Sequence, residues 1–255
     1  MRTPQSPGNP HAYDRYAFAW EHTSTAGRCH LDFGCFDGRF LASLRPKGIV
    51  RRVGADVSLD AIRQARAQVA DVEFVHLEKT TPLPFDDETF TSVTILDVLE
   101  HVYEQEALLG ELHRVMAPGG RLIVTTPRQY ALSFLDLGNL KFRFPRLHRR
   151  YYCRRHSRED YERRYVSNPY GLTGDVSAQK GWHEHFTADH LRQLLERSGF
   201  RVACVDGAGF FTRLIIPLDE VLKRFGGYKA LSDRLEAWDG KTFQSMNLFC
   251  VADKV

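Results

Sequence analysis

The run His30-Leu31-Asp32-Phe33-Gly34-Cys35-Phe36-Asp37-Gly38-Arg39-Phe40 constrains this chain more than any other stretch. It reads as a short apolar strand, a turn with two glycines four residues apart, and the start of a helix. Glycine lets the backbone take positive φ and lets a ligand approach closely. The N–H groups at the start of the new helix then face that ligand. Eighteen residues after Gly38, the run Val53-Gly54-Ala55-Asp56 ends a second apolar segment on an acid. A glycine-rich first turn followed by such an acid is how an α/β sheet grips the ribose of an adenosine. The glycine spacing differs from the Gly-x-Gly-x-x-Gly of dinucleotide-binding enzymes.

Around this turn, strands and helices alternate. Cys29–Phe33, Ile49–Ala55, Val72–Leu77, Thr91–Leu96 and Arg121–Thr126 read as strands, the fourth apolar enough for burial on both faces. The aromatic-rich stretch Ala12–Glu21 reads as an N-terminal helix, and Gly38–Leu44 as the helix after the glycine turn. Ser58 caps a helix with Ile62, Ala65 and Val69 at helical spacing. Glu104–Met116 carries Leu108, Leu112 and Val115 on one side and is stopped by Pro118-Gly119-Gly120. Repeated β-α-β units of this kind imply a parallel, right-handed, doubly wound sheet. The rhythm breaks at Pro127, and residues 128–180 show no clean period. It resumes at Thr187, a cap for a helix with Leu191, Leu194 and Leu195, followed by a sixth strand at Phe200–Val205. A mixed helical region, Thr212–Trp238, and a last strand, Asn247–Ala252, complete the pattern. The expected organisation is a tail and helix over 1–24, a core of 25–127 with 187–255, and an insertion over 128–186. That insertion is too long for a plain loop and reads as a substrate-recognition lid. Leu214-Ile215-Ile216-Pro217-Leu218 and Val221-Leu222 suit either a substrate wall or core packing.

A hydrophobic content of 43% and a charged content of 26% describe an ordinary soluble globule. No apolar run approaches the roughly 20 residues of a membrane span. Met1–Pro10 is polar and proline-rich, unlike a secretory signal. The five cysteines are scattered, without the pairing of a zinc site, which fits a reducing cytoplasm. The net charge of +3 is unevenly spread: between Asn139 and Tyr165, ten basic residues face three acids, giving +7 there and leaving −4 elsewhere. Such a local excess points to a local job. Lys141-Phe142-Arg143-Phe144-Pro145-Arg146-Leu147-His148-Arg149-Arg150-Tyr151-Tyr152 mixes cations with rings. It suits peripheral contact with an anionic membrane, an acidic or phosphorylated substrate, or a solvated lid paired with the acidic body. It carries no autonomous RNA-binding signature, which disfavours nucleic acid.

Four blocks occur in order: Leu31-Asp32-x-Gly34-Cys35-x-x-Gly38-Arg39-Phe40, Leu83-Pro84-Phe85 before Phe90, Leu96-Asp97-Val98-Leu99-Glu100-His101-Val102, and Leu112-His113-Arg114-Val115-x-x-Pro118-Gly119-Gly120. Together they resemble the class I S-adenosylmethionine (SAM) methyltransferases, in particular the type 11 group that includes ubiquinone and menaquinone biosynthesis enzymes. The resemblance implies a Rossmann-like, doubly wound, seven-stranded sheet whose last strand is antiparallel, with an inserted lid. It implies an enzyme that uses SAM to methylate a small-molecule, lipid-linked or sugar-type acceptor; the pair His183 and His185 favours oxygen, and the cysteine usage a cytoplasmic location. N- or C-methylation of an anionic metabolite, and SAM binding without turnover, are the alternatives. It also implies ligand roles. Gly34 and Gly38 would let backbone amides reach the methionine moiety, with Phe33, Cys35 and Val57 completing the cofactor set. Asp32 would bind the ammonium group, directly or through water, although it also suits a cap on the following turn. Asp56 would accept both ribose hydroxyls. Glu78 would meet the adenine amino group, although Glu78-Lys79-Thr80-Thr81 departs from the common Gly-Asp-Ala run. Asp97 would lie at the switch point, or cap the next segment. Phe36 replaces a glycine frequent in this loop and reads as a bulky wall.

Methyl transfer from a sulfonium is an in-line displacement, so the protein mainly aligns the acceptor and excludes water. An alcohol or phenol acceptor also needs a base or a metal. His183 and His185, in Gly181-Trp182-His183-Glu184-His185-Phe186-Thr187, are the catalytic candidates. Asp97, Glu100 and His101, joined by His183 or His185, resemble the magnesium set of some O-methyltransferases. The simpler reading needs no metal: the Glu-His pair ties the strand-four loop to the next helix.

Overall fold

The computed structural model describes residues 13–23, 28–135, 140–166, 184–214 and 228–255. Seven strands are present: β1 (Cys29–Phe33), β2 (Arg51–Asp56), β3 (Glu73–His76), β4 (Phe90–Leu96), β5 (Met116–Pro127), β6 (Phe200–Ala208) and β7 (Asn247–Lys254). They form one sheet in the order β3-β2-β1-β4-β5-β7-β6. Strands β3, β2, β1, β4 and β5 pair in parallel with one another, and β7 runs antiparallel to both β5 and β6. The reversed last strand is the one the family resemblance implies. Strand order changes direction between β1 and β4, so the ligand crevice of such a sheet opens beyond the carboxyl ends of these two strands.

The two faces are covered by different helices because side chains alternate along each strand. On β5, Ile123 joins Phe18, Phe40, Leu41, Ile62 and Ala65, which come from α1 (Arg15–His22), α2 (Arg39–Ser43) and α3 (Leu59–Gln68). Its neighbours Leu122 and Val124 join Leu108, Leu112, Leu191 and Leu195, which come from α4 (Gln105–Val115) and a later helix over Ala188–Arg197. The caps read from the sequence are in place. Ser58 Oγ accepts from Ala61 N at 3.3 Å, and Thr187 Oγ1 from His190 N at 3.1 Å.

Three local expectations change. Helix α1 begins later than expected because Asp14 caps it, its carboxylate accepting from the N–H groups of Tyr16 and Ala17. Pro118-Gly119-Gly120 does not end α4 in a loop. Met116 already pairs with Phe90, and the register then shifts so that Arg121 pairs with Ser92. The Pro-Gly-Gly run is therefore a bulge inside β5. The insertion is also more regular than its sequence suggests, with helices α5 (Leu140–Arg143), α6 (Pro145–Tyr152) and α7 (Arg158–Tyr165). Pro145 stands in the first turn of α6, and Ser157 caps α7 through Asp160 N at 3.0 Å. The two ends of the insertion lie side by side: Phe186 N donates to Pro127 O and Gln129 N to Phe186 O, both at 2.9 Å. The helix over Ala188–Arg197 is α8, and α9 runs Tyr228–Thr242, beyond the expected end of that region. The apolar run from Ile215 to Leu222 lies outside the described residues. Among the described residues no helix is long and apolar enough to cross a membrane.

Candidate functional site

The glycine turn after β1 is fixed by the protein itself. Gly34 and Gly38 have φ of 82° and 75°. A Cβ at Gly34 would lie 2.3 Å from Val98 Cγ2, and one at Gly38 would lie 2.6 Å from Phe74 Cζ. The space each glycine leaves is thus taken by a neighbouring side chain. The N–H groups of the turn are also engaged internally: Gly34 N and Cys35 N donate to Ala55 O at 2.8 and 3.2 Å, and Gly38 N to Cys35 O at 2.9 Å. Replacing Gly34 by alanine is expected to destabilise the fold by about 2 kcal/mol or more, from backbone strain alone before any clash. Adding Val98→Ala should recover part of that loss in denaturant unfolding. No recovery would show that the contact with Val98 does not matter.

Three carboxylates stand at or just past the carboxyl ends of β1, β2 and β4. Asp32 is buried, and its Oδ1 accepts from Thr94 Oγ1 at 2.7 Å across the β1–β4 pairing. It does not cap the turn. Thr94 in turn faces His30, whose ring lies between Ser92 Oγ at 2.8 Å and Thr94 Oγ1 at 3.1 Å. Burial pushes the Asp32 carboxyl up to about 7; the Thr94 bond opposes this and the charge of Asp56 adds to it. Asp56 Oδ2 accepts from Phe36 N at 3.0 Å and its Oδ1 from Ser58 N at 2.8 Å. Burial raises its pKa, against those two N–H groups. Asp97 has a φ of 53°. Its Oδ1 accepts from Thr125 Oγ1 at 2.7 Å, and its Oδ2 is paired with Arg15 of α1. The carboxylate therefore caps nothing: the short helical turn Leu99–His101 has no side-chain cap bond.

Local pKa shifts trace the field of these acids. Burial raises the Cys35 thiol first, and Asp32, Asp56 and Asp37 raise it further. Among the described residues, Arg15 is the one guanidinium paired with any of the three strand-end acids. Burial opposes the Arg15 charge, and Asp97 together with Tyr16 outweighs it, leaving its pKa above the ordinary value. Such acids suit a nucleoside that carries an ammonium and a sulfonium. The side chains present thus fit SAM. Phe33 and Val57 are buried. Glu78 is exposed, two residues past His76, the strand partner of Asp56.

On the acceptor side, His183 lies outside the described residues. His185 Nε2 lies 3.1 Å from Arg213 Nη2. A guanidinium only donates, so Nε2 is the acceptor in this contact. Arg213 also lies over the Tyr130 ring, 5.2 Å from its centroid. The neighbouring Glu184 accepts from Gln105 Nε2 at 2.7 Å. Among the described residues the magnesium set is not assembled. Asp97 is held by Thr125 and Arg15, and Glu100 is buried with its pKa raised well above normal by burial and then by Asp97. Among the described residues no three His, Cys, Asp or Glu side chains are grouped to hold a metal. Sequence reasoning passed over Arg15 and Thr125 and also Asp239. The Asp239 carboxylate is fully buried and accepts from the N–H groups of Phe210, Phe211 and Thr212, fixing the turn after β6.

A sheet of this strand order with β7 reversed, holding an acid-lined crevice at its switch point, defines the class I SAM-dependent methyltransferases. The family model described as Methyltransferase domain matches residues 10–205, and the chain belongs to that family. The cofactor this membership implies is S-adenosyl-L-methionine. The chain is 40% identical to a demethylmenaquinone methyltransferase of Clavibacter sepedonicus over 102 residues, 39% of this chain and 41% of the relative. It is 25% identical to a ubiquinone biosynthesis O-methyltransferase of Neisseria meningitidis over 121 residues, 46% of this chain and 51% of the relative. The matches thus span about half the length of these relatives or less. Among solved structures, the complex of the Haloferax volcanii Trm112 methyltransferase activator with a methyltransferase contains a chain of the same fold. The TM-score is 0.59 at 19% identity, covering 94% of this chain and 88% of the other.

Proposed function

We propose that this chain transfers the methyl group of SAM to an oxygen of a small-molecule acceptor. The observation that carries the reading is the set of acids at the ends of β1, β2 and β4, in a member of the methyltransferase-domain family. Asp56 accepts the ribose hydroxyls on its remaining lone pairs, held in aim by Phe36 N and Ser58 N. Asp32 balances the ammonium group, and Glu78 stands on the adenine side. Phe36, 63% exposed, forms a wall over the nucleoside. When bound, the cofactor supplies the electrophilic methyl and its own leaving group. The names of the two relatives support a small-molecule acceptor, and one of them supports oxygen.

His185 takes the acceptor proton in this reading. The acceptor hydroxyl replaces Arg213 as the partner of Nε2, and Arg213, kept in place by the Tyr130 ring, steadies the charge that develops on oxygen. The insertion over 128–186 is the acceptor-recognition element, because its roots at Pro127 and Phe186 adjoin His185. The test is transfer of isotopically labelled methyl from SAM to a panel of quinols, catechols and hydroxylated acids. His185→Ala should lower kcat by about 100-fold with cofactor affinity unchanged. An unchanged kcat would remove His185 as the base, and the same substitution at His183 tests the other histidine. Tight SAM binding with no transfer to any acceptor would favour a binding protein over an enzyme.

A further inference from the structure

We propose that α6 docks this protein on the surface of an anionic lipid bilayer. Helices α6 and α7 pack on each other along their inner sides. The Tyr161 ring is buried against His148, Tyr152 and Tyr165 at centroid distances of 5.7, 5.7 and 5.1 Å. Arg149 Nη2 pairs with Glu162 Oε1 at 2.6 Å, and Tyr152 Oη donates to Asp160 Oδ2 at 2.6 Å. The outer side is different. Phe144, Leu147 and Tyr151 follow one another at helical spacing and are 56%, 66% and 55% exposed. Phe134 is exposed as well, and its carbonyl accepts from Arg143 Nη1 at 3.1 Å, which brings that loop to the start of the ridge. Arg146, Arg150 and Arg154 are exposed, and none pairs with a carboxylate among the described residues.

A soluble helix normally turns its large apolar residues inward and its charges outward. Here the inward face already packs against α7, and an apolar ridge flanked by guanidiniums points to solvent. An interface-bound helix has this pattern: rings and Leu enter the acyl boundary while Arg heads stay at the phosphates. The +7 charge of residues 139–165, against −4 for the rest, gives the docking face one sign and the body the other. An anionic bilayer attracts the first and repels the second, which fixes orientation. Leu147 is aliphatic and cannot stack on a base, so the ridge fits lipid better than a nucleic acid strand.

The experiment is flotation of the whole chain with phosphatidylcholine vesicles, with and without about 30 mol % phosphatidylglycerol. Binding should require the anionic lipid and weaken as salt rises from about 0.1 M to about 0.5 M. Leu147→Glu should lower the partition coefficient at least tenfold, with the far-ultraviolet spectrum and SAM affinity unchanged. Arg150→Glu, which reverses one charge beside the ridge, should lower it at least fivefold. In Leu147→Trp, tryptophan emission should shift to the blue only with anionic vesicles. Failure to float with the anionic vesicles, binding insensitive to Leu147→Glu, or capture by an RNA homopolymer in preference to the vesicles would each overturn the proposal.

Discussion

Replacing Asp56 by alanine is expected to weaken SAM and S-adenosylhomocysteine binding by at least ~100-fold, the loss of two hydrogen bonds to a charged acceptor at about 1.5–3 kcal/mol each. The size follows from where the carboxylate stands. It ends β2, one strand away from the switch point, and two backbone N–H groups aim it. Its raised pKa shows that burial costs it hydration which the protein does not fully restore, so ligand hydroxyls would meet an acceptor short of donors. Calorimetric titration of the folded variant measures the effect. The fold should survive, because Phe36 N and Ser58 N lie at a rim that water reaches. A loss of less than about fivefold would mean that the ribose is held elsewhere.

Asp32→Asn should move two properties in opposite directions. The Asp32 carboxyl has a folded-state pKa of about 7, well above its unfolded value. The folded chain therefore holds that proton more tightly than the unfolded chain does. Its contribution to stability is fully present below the unfolded pKa and is lost as pH rises through about 7. An asparagine carries no such charge and can still accept from Thr94. At about pH 8 the ligand-free variant should melt several degrees higher than the wild type. Cofactor binding should fall sharply, because the ammonium group loses its counter-charge. The same linkage gives wild-type binding a pH dependence of the opposite sense. Affinity should drop as pH falls from about 8 to about 6, and protons should be released on binding below neutrality. In the variant this dependence should flatten. A variant no more stable than the wild type at high pH, or one that binds with the wild-type pH profile, would show that the carboxylate is not strained by burial in this way.

The parts of the fold that were legible in the sequence are those written locally. A strand-length apolar run, a glycine pair and an acid at the end of the next strand follow one another within 27 residues, His30 to Asp56, and the structure places them around one crevice. Ser58 and Thr187 act over three residues, and both caps are found. What was not legible depends on distant partners. Arg15 and Asp97 are 82 residues apart, and nothing near Arg15 distinguishes it from the many other arginines of this chain. Asp239 gathers three N–H groups from residues 27–29 positions earlier. The helices of the insertion escaped for another reason. Their inner stripe is built from His148, Tyr152, Tyr161 and Tyr165, which an apolar-periodicity reading scores as polar. The sequence assigned the two glycines to ligand approach; it did not show that Val98 and Phe74 fill the space a Cβ would take at each. Gly34 thus lets the β1 turn close against the turn after β4, and Gly38 lets it close against β3.

The decisive measurement is isothermal titration of the full chain with SAM and with S-adenosylhomocysteine, beside the Asp56→Ala variant. Saturable one-to-one binding of both ligands by the wild type, and its loss in the variant, is the expected result. Folded wild-type protein that gives no heat with either ligand, or binding that Asp56→Ala leaves intact, would contradict the assignment of the β1–β4 crevice as the cofactor site.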